Sequence, residues 1–256
     1  MSFPRGSGVT FVTPNSCVKA HANGDLRQPM RARRGIQLPR MKCLLTNHPQ
    51  CNSIRLQLKC NPLLARLDDA AHAELAGLLT MHEGLRGECL LAQGTRELRQ
   101  FFVLDGLLKR IVTSAEGREM ALRFAGEGDI ETCYEAWRQG VDAPYSVVCA
   151  KRSCVASLPM GDWCDFLDRH PPAQRAFHER IVELGAAIVE HAVCLLLLDA
   201  PGRVHQFSGR HPELVGRLPQ KDLASHLNLS AETLCRLSRR CKTAPRHEAL
   251  RISEPA

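Results

Sequence analysis

The stretch Leu218-Pro-Gln-Lys-Asp-Leu-Ala-Ser-His-Leu-Asn-Leu-Ser-Ala-Glu-Thr-Leu-Cys-Arg-Leu-Ser-Arg-Arg240 decides the reading of this chain. Its apolar positions predict two short helices meeting at a tight turn. Leu223, Ala224 and Leu227 fall on one face of the first, the spacing of a helix with one buried side. Asn228 follows, a residue that tolerates the left-handed backbone of a sharp helix exit. Ser230 stands where an N-cap belongs, and Leu234 and Leu237 supply the apolar side of the second helix. Ala224 is small where two crossing helices come closest. The other face of the second helix carries Ala231, Glu232, Cys235, Arg236 and Arg239, a polar and basic surface. This is the pattern of a helix-turn-helix whose second helix reaches base edges, with Gln220 and Ser230 beside it. An ordinary helical hairpin within a core is the competing explanation, and the basic exposed face argues against it.

Working outward, the 256 residues have room for one large or two modest domains. The net charge of +7 fits a polyanionic partner, but residues 1–41 alone supply +6 of it. That segment is rich in Gly, Pro, Arg, Ser and Asn without periodicity, the composition of a disordered basic arm. It is open to three explanations: an electrostatic DNA arm, a targeting peptide, or translated upstream sequence with Met41 as the start. The twelve cysteines do not form a disulfide pattern. Several, such as Cys89, Cys149 and Cys194, sit inside apolar runs, where a free thiol acts as a small hydrophobe. No secretory signal and no membrane-length apolar run is present, so a reducing cytoplasm is the expected compartment.

From Asn61 the chain becomes organised, with a helical turn and then an amphipathic helix reaching Leu79. Glycine-punctuated apolar runs follow: 101–104, 107–112, 120–124 and 145–149. Short strands separated by turns predict an antiparallel barrel or roll, with Ala115-Glu-Gly117 as a hairpin tip. Helix returns at Met160–Arg169, and Pro171-Pro172 punctuates it. In the long helix that comes next, Phe177, Ile181, Leu184, Ile188, His191, Leu195 and Leu198 recur at alternating spacings of four and three, a heptad seam that predicts a homodimer. Pro201-Gly202 is expected to end that helix. The expected fold class is α+β. Its parts are a sensor roll with an N-terminal helix over 42–170, a dimerisation helix over 171–200, and a helix-turn-helix domain over 201–256.

Glycine ladder, heptad helix and helix-turn-helix together resemble the cyclic-AMP-receptor/Fnr (Crp/Fnr) family of bacterial transcription regulators, over roughly residues 61–240. The specific matches are Gly126-Glu-Gly-Asp129 and Glu232-Thr-Leu-Cys-Arg236. The resemblance implies a cyclic-nucleotide-binding-type β-roll, a winged helix-turn-helix, double-stranded DNA and RNA polymerase as partners, and no membrane. It also implies base reading by Glu232 and Arg236, whose groups suit a cytosine amino group and guanine O6/N7. Cys235 replaces the family's usual Ser or Gly.

The sensor half departs from the family. Ile130-Glu-Thr-Cys-Tyr134 and Pro144-Tyr-Ser-Val147 replace the segments that hold ribose and phosphate, and no arginine stands at the phosphate position. That argues against cyclic AMP. Cys60 and Cys51 resemble the third and first cysteines of the Fnr iron–sulfur site, but Ile54 stands where the second belongs. Cys43 or His48 is a substitute, and Cys154 stands near the expected fourth position. A cluster normally takes four thiolates; haem or another redox input is the alternative, as is no metal at all. The tail after Arg240 has only Leu250 and Ile252 as strand-like residues, so the wing is reduced or altered. The expected function is therefore a homodimeric DNA-binding regulator with an unidentified effector. The alternative is a signal-binding or partner-sequestering homologue with impaired DNA binding. No histidine falls in a catalytic or zinc spacing, so an enzyme is not expected.

Overall fold

A computed structural model describes residues 41–243, with side chains from Lys42 to Ser238. The basic segment before Met41, the tail where a wing was expected, and the side chain of Arg239 lie outside the described residues. Order begins earlier than Asn61. Strand β1 (Met41–Leu44) leads through a 3₁₀ turn into α1 (Cys51–Lys59), and then α2 (Asp69–Leu78) begins under the cap of Asp68, whose side chain accepts the Ala71 N–H at 2.8 Å. Helix α1 buries only Ile54 and Leu58, and that thin stripe gave little periodic signal.

The roll is built from β2 (Thr80–Gly84), β3 (Cys89–Leu91), β4 (Arg99–Asp105), β5 (Leu108–Thr113), β6 (Glu119–Ala125), β7 (Ile130–Thr132), β8 (Ser146–Cys149) and β9 (Ser153–Pro159), with the short helix α3 (Tyr134–Gln139) between β7 and β8. All pairings are antiparallel, in two sheets ordered β1-β2-β9-β4-β7 and β3-β8-β5-β6. The four expected strands are β4, β5, β6 and β8, and the β5–β6 tip turns at Gly117 with φ +80°. Gly106 is required for a different reason. Its φ is +93°, and a Cβ there would lie 2.3 Å from the Arg152 carbonyl oxygen.

Both faces of the smaller sheet are buried. Along β8 and just past it, Val147 and Cys149 point into a first core, and Val148 and Ala150 into a second. This is the two-residue alternation of a strand with apolar material on either side. The first core fills the roll and extends under α4 (Met160–Arg169) and the start of α5 (Pro171–Leu197). There Trp163 meets Phe102 edge-on at 5.4 Å, Phe177 edge-on at 5.5 Å and Phe166 stacked at 5.6 Å. Each such ring contributes roughly 1.5–3 kcal/mol by leaving water. The prolines of Pro171-Pro172 sit in the first turn of α5, where no backbone N–H is needed.

Pro201-Gly202 does not end α5, which stops at Leu197. Instead it opens α6 (Ala200–Arg210), whose N-cap Asp199 accepts the Gly202 N–H at 2.9 Å. Two further helices, α7 (Gln220–His226) and α8 (Ala231–Thr243), complete the described chain. Phe207, Leu214, Leu218, Ala224, Leu227 and Leu234 from this last part share the second core with Leu107, Ile111, Ala121, Phe124 and Val148 of the roll.

Candidate functional site

Helices α7 and α8 meet as the sequence predicts. Asn228 adopts φ +52°, outside glycine the only described residue with positive φ. Around it the Leu229 N–H donates to the Ala224 carbonyl at 2.9 Å and the Asn228 N–H to the Ser225 carbonyl at 3.2 Å. These two bonds are the Schellman closure that satisfies the last carbonyls of α7 and sends the chain off sharply. Ser230 then caps α8, its hydroxyl accepting the Thr233 N–H at 3.1 Å. Leu234 is fully buried, and Ala224 lets the two helices approach. On the outward side Ala231, Glu232 and Arg236 are exposed, Cys235 is half-buried, and Gln220 is exposed at the first turn of α7. Glu232 and Arg236 are four residues apart and so lie on one face.

The first helix of this pair is fixed to the roll by hydrogen bonds along the open edge of β6. The Ala121 N–H donates to the Ser225 hydroxyl at 3.1 Å, that hydroxyl donates to the Glu119 carbonyl at 3.2 Å, and the His226 Nδ1–H donates to the Ala121 carbonyl at 3.0 Å. An edge strand with unpaired backbone groups is thereby closed by side chains. Lys109 reaches Asp222 at 2.6 Å, Arg118 donates to Asn228 Oδ1 at 2.7 Å, and Arg217 donates to Glu127 at 2.6 Å. His226 also stacks on His191 of α5, ring centroids 3.8 Å apart and planes within 2°. Burial holds the His226 ring neutral, its pKa lowered to about 3, with His191 and His211 adding to the shift. His191 is lowered for the same first reason, burial.

The roll interior holds charges that the sequence reading missed. Arg110 donates to Glu131 through Nε at 3.0 Å and Nη2 at 2.8 Å, with its guanidinium carbon 4.0 Å from the centre of the Tyr145 ring. Arg123 joins Glu131 at 2.6 Å to Asp129 at 2.5 Å, and Arg180 of α5 reaches the other Asp129 oxygen at 2.7 Å. Arg110 and Glu131 are both buried. Burial works against the Arg110 cation, yet the Glu131 carboxylate raises its pKa above the ordinary value. The segments compared with a nucleotide pocket are bridged to each other, the Tyr145 hydroxyl donating to the Thr132 carbonyl between β8 and β7. Burial pushes the Tyr145 phenol up. No signal in a strand such as Leu-Lys-Arg-Ile-Val says that its arginine turns inward to a carboxylate twenty-one residues away.

The four cysteines considered for a cluster are not brought together. Cys51 opens α1 and Cys60 follows its end, roughly 13 Å apart along a helix axis. Cys43 on β1 and Cys154 on β9 are separated by β2, about 10 Å across two strand spacings. His48, the other substitute, lies 3.9 Å from Glu83. Among the described residues no three His, Cys, Asp or Glu side chains form a metal-holding group. Burial raises the Cys154 thiol to about 11. Among the described residues these candidates do not form the four-thiolate set of an iron–sulfur cluster.

The long helix is apolar on two sides. Of the seven seam positions, Phe177 and Leu184 are buried against the chain's own roll, and Ile181, Ile188, His191, Leu195 and Leu198 are half-buried. The free side carries Val182 at 73% exposure, Ala186, Val189, Val193, Leu196 at 82% and Leu197 at 78%. From Val182 to Leu196 these also recur at spacings of four and three. No described helix is long and apolar enough to cross a membrane.

No protein-family profile matches the sequence, and no curated protein matches it. Solved structures do. A crp/fnr-family transcriptional regulator structure from Eubacterium rectale aligns with a TM-score of 0.57 at 16% identity, over 71% of this chain and 86% of that one. FixK2 from Bradyrhizobium japonicum aligns at 0.56 and 16% identity, over 64% of this chain and 85% of FixK2. The c-di-GMP-responsive global regulator CLP of Xanthomonas campestris aligns at 0.56 and 13%, over 68% and 92%. At such identities the likeness establishes the fold. The chain has the architecture of a Crp/Fnr-type regulator: an antiparallel roll, a long helix and a C-terminal helical head.

Proposed function

We propose that the protein is a homodimeric, sequence-specific DNA-binding transcription regulator. The observation that carries this reading is the α7–α8 pair. Its Schellman turn at Asn228 and Ser230 cap hold Glu232 and Arg236 outward on the second helix. A chain with the fold of Crp/Fnr regulators supports it. Arg236 suits a guanine O6/N7 edge and Glu232 a cytosine amino group, while Gln220 and the N-terminus of α8 would contact the DNA beside them. The dimer would form along the exposed stripe from Val182 to Leu197 rather than on Phe177 and Leu184, which the roll already covers. Two heads would then engage half-sites about 34–36 Å apart.

The tightly paired roll interior argues against cyclic AMP as the signal, because a phosphate would have to displace Glu131 or Asp129 from arginines they already bind. A gel shift with a palindrome selected from random DNA tests the reading. Arg236→Ala is expected to weaken binding by about 1–3 kcal/mol at one base pair and to relax the sequence preference there. Unchanged affinity and preference would overturn the assignment.

A further inference from the structure

A cavity of about 630 Å³ lies beside the second core, where the roll, the long helix and the helix-turn-helix head meet. We propose that it is an effector site for an amphipathic acid, an apolar body of ring size carrying one anionic group. The proposal rests on the regulator reading above and locates its signal in this cleft instead of the roll interior, whose centre is taken by Arg110, Glu131 and Tyr145.

The volume is that of a site for a small organic molecule. One wall is apolar: Phe124 of β6, Leu184 and Ile188 of α5, and Phe207 of α6. The rim holds four arginines, Arg123, Arg180, Arg210 and Arg217, paired to Glu127, Asp129, Glu183 and Glu190, with Glu213 beside His211, and the arginine at each outer pair keeps donors to spare. A guanidinium has five N–H groups. Arg210 meets Glu190 through Nη1 alone, and Arg217 meets Glu127 through Nη2 alone, among the described residues. Both are partly exposed at the mouth, so each can offer a further pair of N–H groups to a carboxylate or sulfonate without giving up its partner.

The walls come from three elements whose relative placement sets where α8 sits. Strand β6 holds α7 by its edge, α5 carries His191 against His226, and α6 leads into the head. A molecule touching all three has different affinity for arrangements in which they are closed or spread, which is the requirement for an effector.

The probe is 8-anilinonaphthalene-1-sulfonate, which has aromatic rings, one anion and one N–H, titrated by fluorescence into the full chain. Saturable binding of one molecule per chain is expected. Ala187→Trp, which puts an indole into the cavity from an exposed helix position, and Arg210→Ala, which removes the anion partner, should each weaken it about tenfold or more. Leu56→Ser, on the exposed face of α1, should leave it unchanged. Absence of saturable binding overturns the proposal, and so does binding that survives both cavity variants or is lost with Leu56→Ser. Saturating probe should also change the affinity for the selected DNA palindrome at least threefold; no change overturns the effector role. A chain that binds the probe as expected but no DNA overturns the regulator reading and leaves the cavity assignment standing.

Discussion

The two cores lie on either side of one four-stranded sheet and differ in kind. The first, inside the roll, is closed. Aromatic rings interlock around Trp163, and its buried charges, Arg110 and Glu131, are matched against each other. The second joins the outer face of the sheet to the C-terminal helical head, and it contains a neutral histidine pair and borders a hollow. Paired buried charges make a site with one arrangement, because breaking any pair strands a charge. Neutral titratable rings make a joint whose docked form weakens where they take up a proton.

The largest effect is expected in the first core. Glu131→Ala leaves the Arg110 guanidinium buried without its carboxylate and should lower unfolding stability by about 3–5 kcal/mol in urea titration. A loss below about 1 kcal/mol would remove the distinction between the cores. A smaller and graded effect belongs to the second. His226 is held neutral in the docked head, with a pKa of about 3 against about 6.5 when free. Its proton is therefore bound more tightly when the head is undocked. Docking is at full strength above pH 6.5 and weakens as pH falls from there towards 3, by about 1.4 kcal/mol for each pH unit for this ring. The Ala121 amide, bonded to Ser225 across the joint, reports it. After correction for intrinsic rates its hydrogen exchange should accelerate between pH 7 and pH 5, while amides of β4 do not. Equal acceleration in both places would mean global loosening and would contradict the contrast.

What the sequence made legible was local. The helix-turn-helix could be read because each of its devices, Ala224, Asn228, Ser230 and Leu234, lies within a few residues of the groups it serves. The strands of the roll announced themselves by glycines and short apolar runs. Long-range pairing left no such mark. Arg110 and Arg123 look like the polar side of a half-exposed hairpin until the fold places Glu131 and Asp129 opposite them. Helix α5 fooled the periodicity argument in a more instructive way. Phe177-Ile181-Leu184 and Val182-Ala186-Val189 follow the same alternation of four and three, one residue or so round the helix. The pattern says that a helix has an apolar stripe, and here there are two. Only the roll packed against Phe177 and Leu184 shows which stripe stays exposed. The cysteine spacing misled for a related reason, since Cys51 and Cys60 are near in sequence but separated by the whole length of α1.

Docking of the exposed face of α8 on DNA is tested most directly by affinity for the selected palindrome, measured from about 50 to 200 mM salt. A DNA-reading head should give a linear fall of log K with log salt, with a slope of roughly −0.9 for each phosphate contacted and hence several units for a dimer. Arg236→Ala should lower the line. Absence of measurable binding at 50 mM salt, or a slope indistinguishable from zero, would contradict the account.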